Sequence, residues 1–287
     1  MPAGLWDNRR VNRPLDRAFI GLQYLLPQHF LSRLVRSLAH CRAAWLRTAL
    51  IRGFLRIYPV DLAEAELAQP SRYESFNAFF TRRLRPGARR IDPDPSAVAC
   101  PVDGYVSQSG RLAGDALLQA KGISYSATGL LGGDARLAQE FADGAFVTLY
   151  LAPHNYHRIH MPLAGTLRLA RHVPGALFSV NQATAEVVPG LFVRNERIAC
   201  IFDTVAGPMA VVLVGALFVG SMSLSWAGEI PAGRHDRAVT LDKGAELGWF
   251  NMGSTVILMF GPRGPALVED LRPGRAVRMG ERIASST

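Results

Sequence analysis

Lysine is scarce in this sequence: of 32 basic residues only Lys121 and Lys243 are lysines. An enzyme built on pyridoxal phosphate needs a Schiff-base lysine, and each of these two reads more simply as a loop or turn charge. Cysteine is scarce as well. Cys41, Cys100 and Cys200 lie far apart and form no CxxC pair, which argues against a disulfide framework and fits buried thiols in a reducing compartment. Long apolar runs are missing. The nearest thing to a membrane span is the twelve residues from Met209 to Gly220, short of the roughly 20 a crossing helix needs. The SMSLSW that follows alternates apolar and polar side chains as a strand does, so buried β-structure is expected here. The first 30 residues hold no uninterrupted apolar core beside a small-residue cleavage site, so no signal peptide is expected. No repeat of fixed period and no low-complexity tract stands out.

Acidic residues are missing from one region in particular. Residues 1–60 contain ten arginines but only Asp7 and Asp16 as acids, and no acid occurs from Arg17 to Val60. That segment carries +8 of the chain's net charge of +9. Such asymmetry implies an acidic partner surface, membrane or nucleic acid. No nucleic-acid-binding motif accompanies the charge, so no nucleic acid is expected as a partner. The region itself reads as helix. Leu31, Leu34, Val35 and Leu38 share a face opposite Arg33 and Arg36, and a second stripe begins with Leu46, Ala49, Leu50 and Phe54. Two helices broken near residues 40–43 fit these stripes, starting after Pro27 and ending before Pro59. Basic amphipathic helices of this kind lie in a membrane interface, each arginine contributing about 1 kcal/mol near an anionic surface. An ordinary bundle face with solvated arginines is the alternative.

Beyond a transitional stretch over residues 59–100, in which FNAFFTRRLRPGARRIDPDP runs from a helix into a Pro-rich loop, the texture changes. Short apolar segments separated by Gly and Pro appear at 145–152, 197–203, 209–214 and 254–260, each reading as a strand. The expected fold is α+β: a mostly antiparallel β catalytic domain over residues 71–287, preceded by amphipathic helices in a basic, membrane-associating segment over residues 1–70.

Three places carry chemistry. Val102-Asp103-Gly104 follows a proline. His154, His157 and His160 recur at spacing three between Pro153 and Pro162. Gly253-Ser254-Thr255 opens a strand. The histidines could bind a metal, but the flanking prolines resist a helix that would aim all three together, and no cysteine or paired carboxylate lies near in sequence; no metal is expected. A glycine before a hydroxyl has a different use. Without a Cβ, its carbonyl can be approached closely by the next side chain, as attack by Ser254 Oγ on the Gly253 carbonyl requires. Such an attack needs a base, for which histidine suits neutral pH, and an acid to orient that base. Asp103 and one of the histidines could supply both.

The stretches FNAFFTRRLRPGARRID (76–92), PVDGYVSQSG (101–110), LLQAKGISYS (117–126), YLAPHNYHRIHMPLAG (150–165), PGALFSVN (174–181), LFVRNER (191–197) and GSTVILMF (253–260) together resemble the bacterial phosphatidylserine decarboxylases over nearly the whole chain. One departure is Met252, where the family usually has Leu; the volume is similar, so cleavage should survive. The resemblance implies that Asp103, His160 and Ser254 drive self-cleavage, with His160 deprotonating Ser254 and Asp103 holding the imidazole. An N-to-O acyl shift and elimination would separate residues 1–253 from residues 254–287 and leave dehydroalanine, whose hydrolysis yields a pyruvoyl group, derived from Ser254, as the covalent cofactor. It further implies a Schiff base with the serine amine of phosphatidylserine, His157 in the decarboxylation step as proton donor, and release of phosphatidylethanolamine. Lys121, within a matched motif, has a structural or substrate-side role open to it. The expected partners are phosphatidylserine in an anionic membrane, the two cleaved chains with each other, and a second copy in a homodimer. The expected location is peripheral, on the cytoplasmic side of the inner membrane. A non-catalytic membrane-binding protein, a metal-dependent hydrolase on the three histidines, and a pyruvoyl decarboxylase for a related headgroup remain as alternatives.

Overall fold

A computed structural model describes residues 14–217, 221–251 and 255–286, with side chains from residue 18 onward. Three helices open it: α1 (Pro14–Leu25), α2 (Gln28–His40) and α3 (Ala44–Ile57). The break between α2 and α3 falls at residues 41–43, where the two apolar stripes lose register. Pro27 occupies the cap of α2, a position whose missing N–H costs no helical hydrogen bond.

These helices bury little of their apolar surface. α2 buries Ser32 and Ala39, and α3 buries Ile51. Phe19, Leu22, Tyr24, Leu25, Phe30, Leu34, Leu38, Trp45 and Ile57 are exposed, Leu25 by 83% and Trp45 by 75%. What holds α3 is an aromatic cluster on a fourth helix, α4 (Phe76–Phe80), whose first turn is capped by Ser75 Oγ accepting from the Ala78 amide. The ring of Phe54 lies 5.5 to 6.0 Å from those of Phe76, Phe79 and Phe80, at edge-to-face angles that aromatic quadrupoles favour.

The rest of the chain builds around a nine-stranded sheet. Its spine runs Gly165–Val173, Arg197–Thr204, Gly207–Val214, Thr255–Phe260, Ala145–Tyr150, Gly104–Arg111, every neighbour antiparallel. The segments expected as strands from their apolar runs are strands here. They are unbroken runs rather than alternating ones because both faces are covered. Val256, Leu258 and Phe260 enter one core with Val147, Leu149, Val211 and Leu213, while Ile257 and Met259 enter another with Phe146, Ile201 and Val212. Cys100 and Cys200 are free thiols buried in the first core.

The register gathers one end of this sheet. Thr255, at the start of its strand, faces Tyr150 at the end of another and Val214 at the end of a third. Tyr150 also faces Tyr105, next to the start of the strand that follows Asp103. The chain before Gly104, after Tyr150, after Val214 and before Thr255 therefore emerges on one side. Gly104 belongs there for steric reasons: a Cβ on it would sit 2.3 Å from the Tyr150 carbonyl oxygen. A smaller sheet covers the same end, with Glu246–Phe250 between Met222–Leu224 and Arg158–His160.

Candidate active site

The turn after Tyr150 carries the three histidines. Asn155 closes it, its side-chain oxygen accepting from the Ala152 amide at 2.8 Å. Tyr156 and His157 follow, and Arg158–His160 is the short strand. Alternation along this strand decides which way each ring faces. His157 and Ile159 are fully buried, whereas Arg158 and His160 share the opposite side with Glu246, to which Arg158 donates at 2.7 Å. The two catalytic candidates thus leave the chain on opposite faces, as a spacing of three in extended backbone dictates.

His157 packs against Phe80, ring centroids 4.2 Å apart. Its Nδ1 lies 2.9 Å from the Asn155 carbonyl. A carbonyl only accepts, so Nδ1 carries the proton and Nε2 is the basic nitrogen. Nε2 is buried with no partner among the described residues. Burial lowers the His157 pKa to about 3, with the Asn155 bond opposing and Arg82 and His154 adding to the fall. At neutral pH the ring is an uncharged base with a vacant lone pair.

His160 is built the same way from different partners. Nδ1 donates to the Gly244 carbonyl at 2.8 Å, and Nε2 accepts from the Tyr156 hydroxyl at 2.9 Å, the rings stacked with centroids 5.7 Å apart. Burial pulls its pKa below the ordinary histidine value; Gly244, Glu246 and Asp103 act the other way. Sequence reasoning missed Tyr156 and Gly244. The tyrosine lies inside a motif already singled out, but nothing in the motif says which ring nitrogen its hydroxyl would meet.

Asp103 stands just before Gly104, buried, at the same end of the sheet. Among the described residues its hydrogen bonds go elsewhere than to the His160 imidazole with which the resemblance pairs it. Its carboxylate accepts from Arg89 Nε at 2.9 Å and from the Met279 amide at 2.9 Å, and it acts on His160 through space. Arg89 also donates to Glu64 at 2.7 Å, and that bond is the main cause holding the Glu64 carboxyl below its usual range. The reason for the difference is positional: the His160 Nδ1 already meets a main-chain oxygen, and Arg89 offers Asp103 two charge-assisted bonds. Met252, Gly253 and Ser254 lie outside the described residues, whereas Asn251 and Thr255 on either side are described. Asn251 is tied to Asn77 at 3.2 Å and Ser221 at 2.7 Å, and the Thr255 hydroxyl is fully buried and unpartnered among the described residues. The lysines are occupied elsewhere, Lys121 by Glu186 at 2.6 Å and Lys243 by the Asp94 carbonyl at 2.7 Å. No set of three His, Cys, Asp or Glu among the described residues is arranged to hold a metal ion.

Two family profiles match the chain. Phosphatidylserine decarboxylase matches residues 76–285, and a second, described as PSD, matches residues 18–59. A phosphatidylserine decarboxylase proenzyme of Pseudomonas entomophila (strain L48) is 54% identical over 280 residues, covering 94% of this chain and 98% of the relative. A proenzyme of the same description from Pseudomonas aeruginosa (strain LESB58) is 54% identical over 280 residues, covering 94% and 97%. One from Ectopseudomonas mendocina (strain ymp) is 53% identical over 282 residues, covering 94% and 99%.

Proposed function

The chain belongs to the phosphatidylserine decarboxylase family, and on that premise we propose how its residues divide the work. It is a carboxy-lyase made as a proenzyme, which cuts itself to form a pyruvoyl group and converts phosphatidylserine to phosphatidylethanolamine. The pyruvoyl carbonyl supplies an electrophile for the substrate's amine and a sink for the electrons released as carbon dioxide leaves. The observation that carries the residue assignment is the meeting of Asp103, His157, His160 and the residues flanking 252–254 at one end of the sheet. His157 Nε2 and the Thr255 hydroxyl are buried without partners among the described residues, which leaves both able to take a polar group in the reaction.

In self-cleavage, His160 is the base. Its Nδ1 is committed to Gly244, so the Ser254 proton goes to Nε2, where the Tyr156 hydroxyl now donates. As the imidazole charges, the Asp103 and Glu246 carboxylates stabilise it through space. Ser254 Oγ then attacks the Gly253 carbonyl, the C–N bond breaks to leave an ester and a free amine, and elimination followed by hydrolysis with loss of ammonia yields the pyruvoyl group. In the second reaction His157 is the proton carrier. The Asn155 carbonyl holds Nδ1–H, so His157 Nε2 must first accept a proton before it can donate one to the carbon that lost carbon dioxide.

The helices supply the approach to lipid. Among the described residues no helix is long and apolar enough to cross a membrane. α1–α3 instead present exposed Phe19, Leu25, Phe30, Trp45 and Ile57 beside exposed Arg33, Arg52 and Arg56, the composition of a peripheral anchor on anionic lipid. This supports peripheral attachment through residues 1–70; the family resemblance adds the cytoplasmic face of the inner membrane, residues 71–287 as the catalytic body and a homodimer of processed protomers to the proposal. Intact-mass measurement of the purified protein tests the central reading. It should find residues 1–253 and residues 254–287 as separate chains, the small one blocked to Edman degradation. An active enzyme of one full-length species would refute it.

A further inference from the structure

Arg82, just beyond α4, carries a charge that meets no carboxylate among the described residues. The residue is only 5% exposed. Nη2 donates to the backbone oxygens of His154 at 2.9 Å and Asn155 at 3.3 Å, while Nε and Nη1 are buried with no partner among the described residues. Burial lowers its pKa; Asp103 opposes this through space but has its own hydrogen bonds to Arg89 and Met279. A guanidinium stripped of water and left with two idle donors is destabilising unless an anion completes it.

The surroundings identify where that anion would enter. Two clefts meet at Arg82. The larger, about 590 Å³, is lined also by Arg72, Asn77, Arg83, Arg158 and Trp249, with Glu66 and Glu74 as its acids. The smaller, about 200 Å³, holds Asp103, His154 and Tyr156. Arg158 is already bound to Glu246, and Glu74 to Arg42, so the larger cleft keeps an excess of positive charge. It also borders the reacting segment: Asn77 donates to Asn251, the residue before 252–254. On the other side it reaches His40, at the end of the lipid-facing α2.

Resting on the function proposed above, we propose that Arg82 binds the phosphodiester of the substrate headgroup, and that the larger cleft is the passage by which the headgroup reaches the reacting centre. The substrate offers two anions, a carboxylate and a phosphate. The carboxylate loses its charge as carbon dioxide leaves, so a fixed cation against it would hold the ground state more tightly than the transition state and slow the reaction. The phosphate keeps its charge throughout. A guanidinium there contributes binding without opposing the chemistry, and its fixed planar donors suit phosphate oxygens. Arg82 Nη2 and His157 Nδ1 share the Asn155 carbonyl, which ties headgroup position to the proton carrier.

Arg82→Gln and Arg82→Lys test this in the full chain. Maturation is read on gels. Binding of short-chain phosphatidylethanolamine, which has the phosphodiester and no carboxylate, is read by calorimetry, and turnover with short-chain phosphatidylserine. Arg82→Gln should mature, bind phosphatidylethanolamine 10-fold or more weakly, and raise KM by a similar factor with kcat changed less than about 3-fold; Arg82→Lys should fall between. Competition by inorganic phosphate that Arg82→Gln abolishes would show a site for phosphate at large, and its absence one that needs the lipid ester. A rise in KM with unchanged phosphatidylethanolamine affinity would give Arg82 to the carboxylate and overturn the proposal. Failure of both variants to mature would reduce Arg82 to a brace for the 154–155 loop. A wild-type protein that binds phosphatidylethanolamine through Arg82 yet releases no carbon dioxide would defeat the proposed function and leave this site standing.

Discussion

Tyr156 donates its hydroxyl proton to His160 Nε2 at 2.9 Å, so the nitrogen that should receive the serine proton is already engaged. The two are four positions apart in sequence, and their rings stack at 5.7 Å. The hydroxyl fixes the imidazole plane together with Gly244 on the other nitrogen. Tyr156→Phe keeps the stacking and removes that restraint. Self-cleavage should slow by about 10-fold without stopping, within the range of a lost positioning contact to an acid–base group. Pulse-labelled synthesis followed on gels measures it. Cleavage at the wild-type rate would confine Tyr156 to packing.

The opposite facing of His157 and His160 should separate the two reactions. His160→Ala should remain one uncut chain with no activity. His157→Ala should still cut itself, perturbed only through the loss of packing on Phe80, yet release little carbon dioxide from phosphatidylserine. Gels and a carbon dioxide assay on each variant decide it. Normal maturation of His160→Ala beside uncut His157→Ala would reverse the roles.

Acid should unfold the protein partly through His157. Its pKa is about 3 in the folded state and about 6.5 when unfolded. Between those values the unfolded chain binds the extra proton, so stability rises with pH through that window and levels above it. The contribution is complete above about pH 6.5 and is lost on descending toward pH 3. Urea melts at pH 5 and pH 7 should therefore show a smaller pH difference for His157→Phe than for the wild type. An equal difference would mean that other groups carry the acid sensitivity.

Arg89 serves two carboxylates at once, Asp103 and Glu64, with its own side chain 7% exposed. Arg89→Met leaves both acids close together without their shared cation. Loss of one member of a buried ion pair costs about 3–5 kcal/mol, and a drop of that order in unfolding free energy at pH 7 is expected from denaturant titration. Because the Arg89 bond lowers the Glu64 pKa, the stability it provides is present above the unfolded carboxyl pKa and fades as pH falls through the folded one. The gap between variant and wild type should therefore narrow toward pH 3.

Membrane attachment should depend on both components of the helices. Exchanging Phe30 and Trp45, 59% and 75% exposed, for serine should release the protein from anionic vesicles in flotation assays. Arg33, Arg52 and Arg56 changed together to Gln should weaken binding at low salt and flatten its salt dependence. Point changes are preferable to deletion of residues 1–58, because Ile51 and Phe54 form part of the core that supports Phe80. Unaltered flotation of both variants would place the lipid contact elsewhere.

Much of this molecule is local in origin and so was legible in the chain itself. The break between α2 and α3 follows from two apolar stripes out of register. The strands at 145–150, 197–204, 207–214 and 255–260 follow from apolar runs too long for a half-exposed sheet. The residues proposed to react are named from motifs whose order and spacing mark the family. The pairing of side chains across the site is different, because it depends on distances that close only when strands remote in sequence take their register. Gly244 reaches His160 across 84 residues, Met279 reaches Asp103 across 176, and Asn77 reaches Asn251 across 174. The family resemblance pairs Asp103 with His160, two residues from separate motifs. The tertiary structure gave the aspartate to Arg89 and the histidine to a main-chain carbonyl, since each buried polar group takes whichever partner the packing brings within hydrogen-bond range. The same physics left His157 Nε2 and the Nε and Nη1 of Arg82 without partners among the described residues, which no reading of residue order contains.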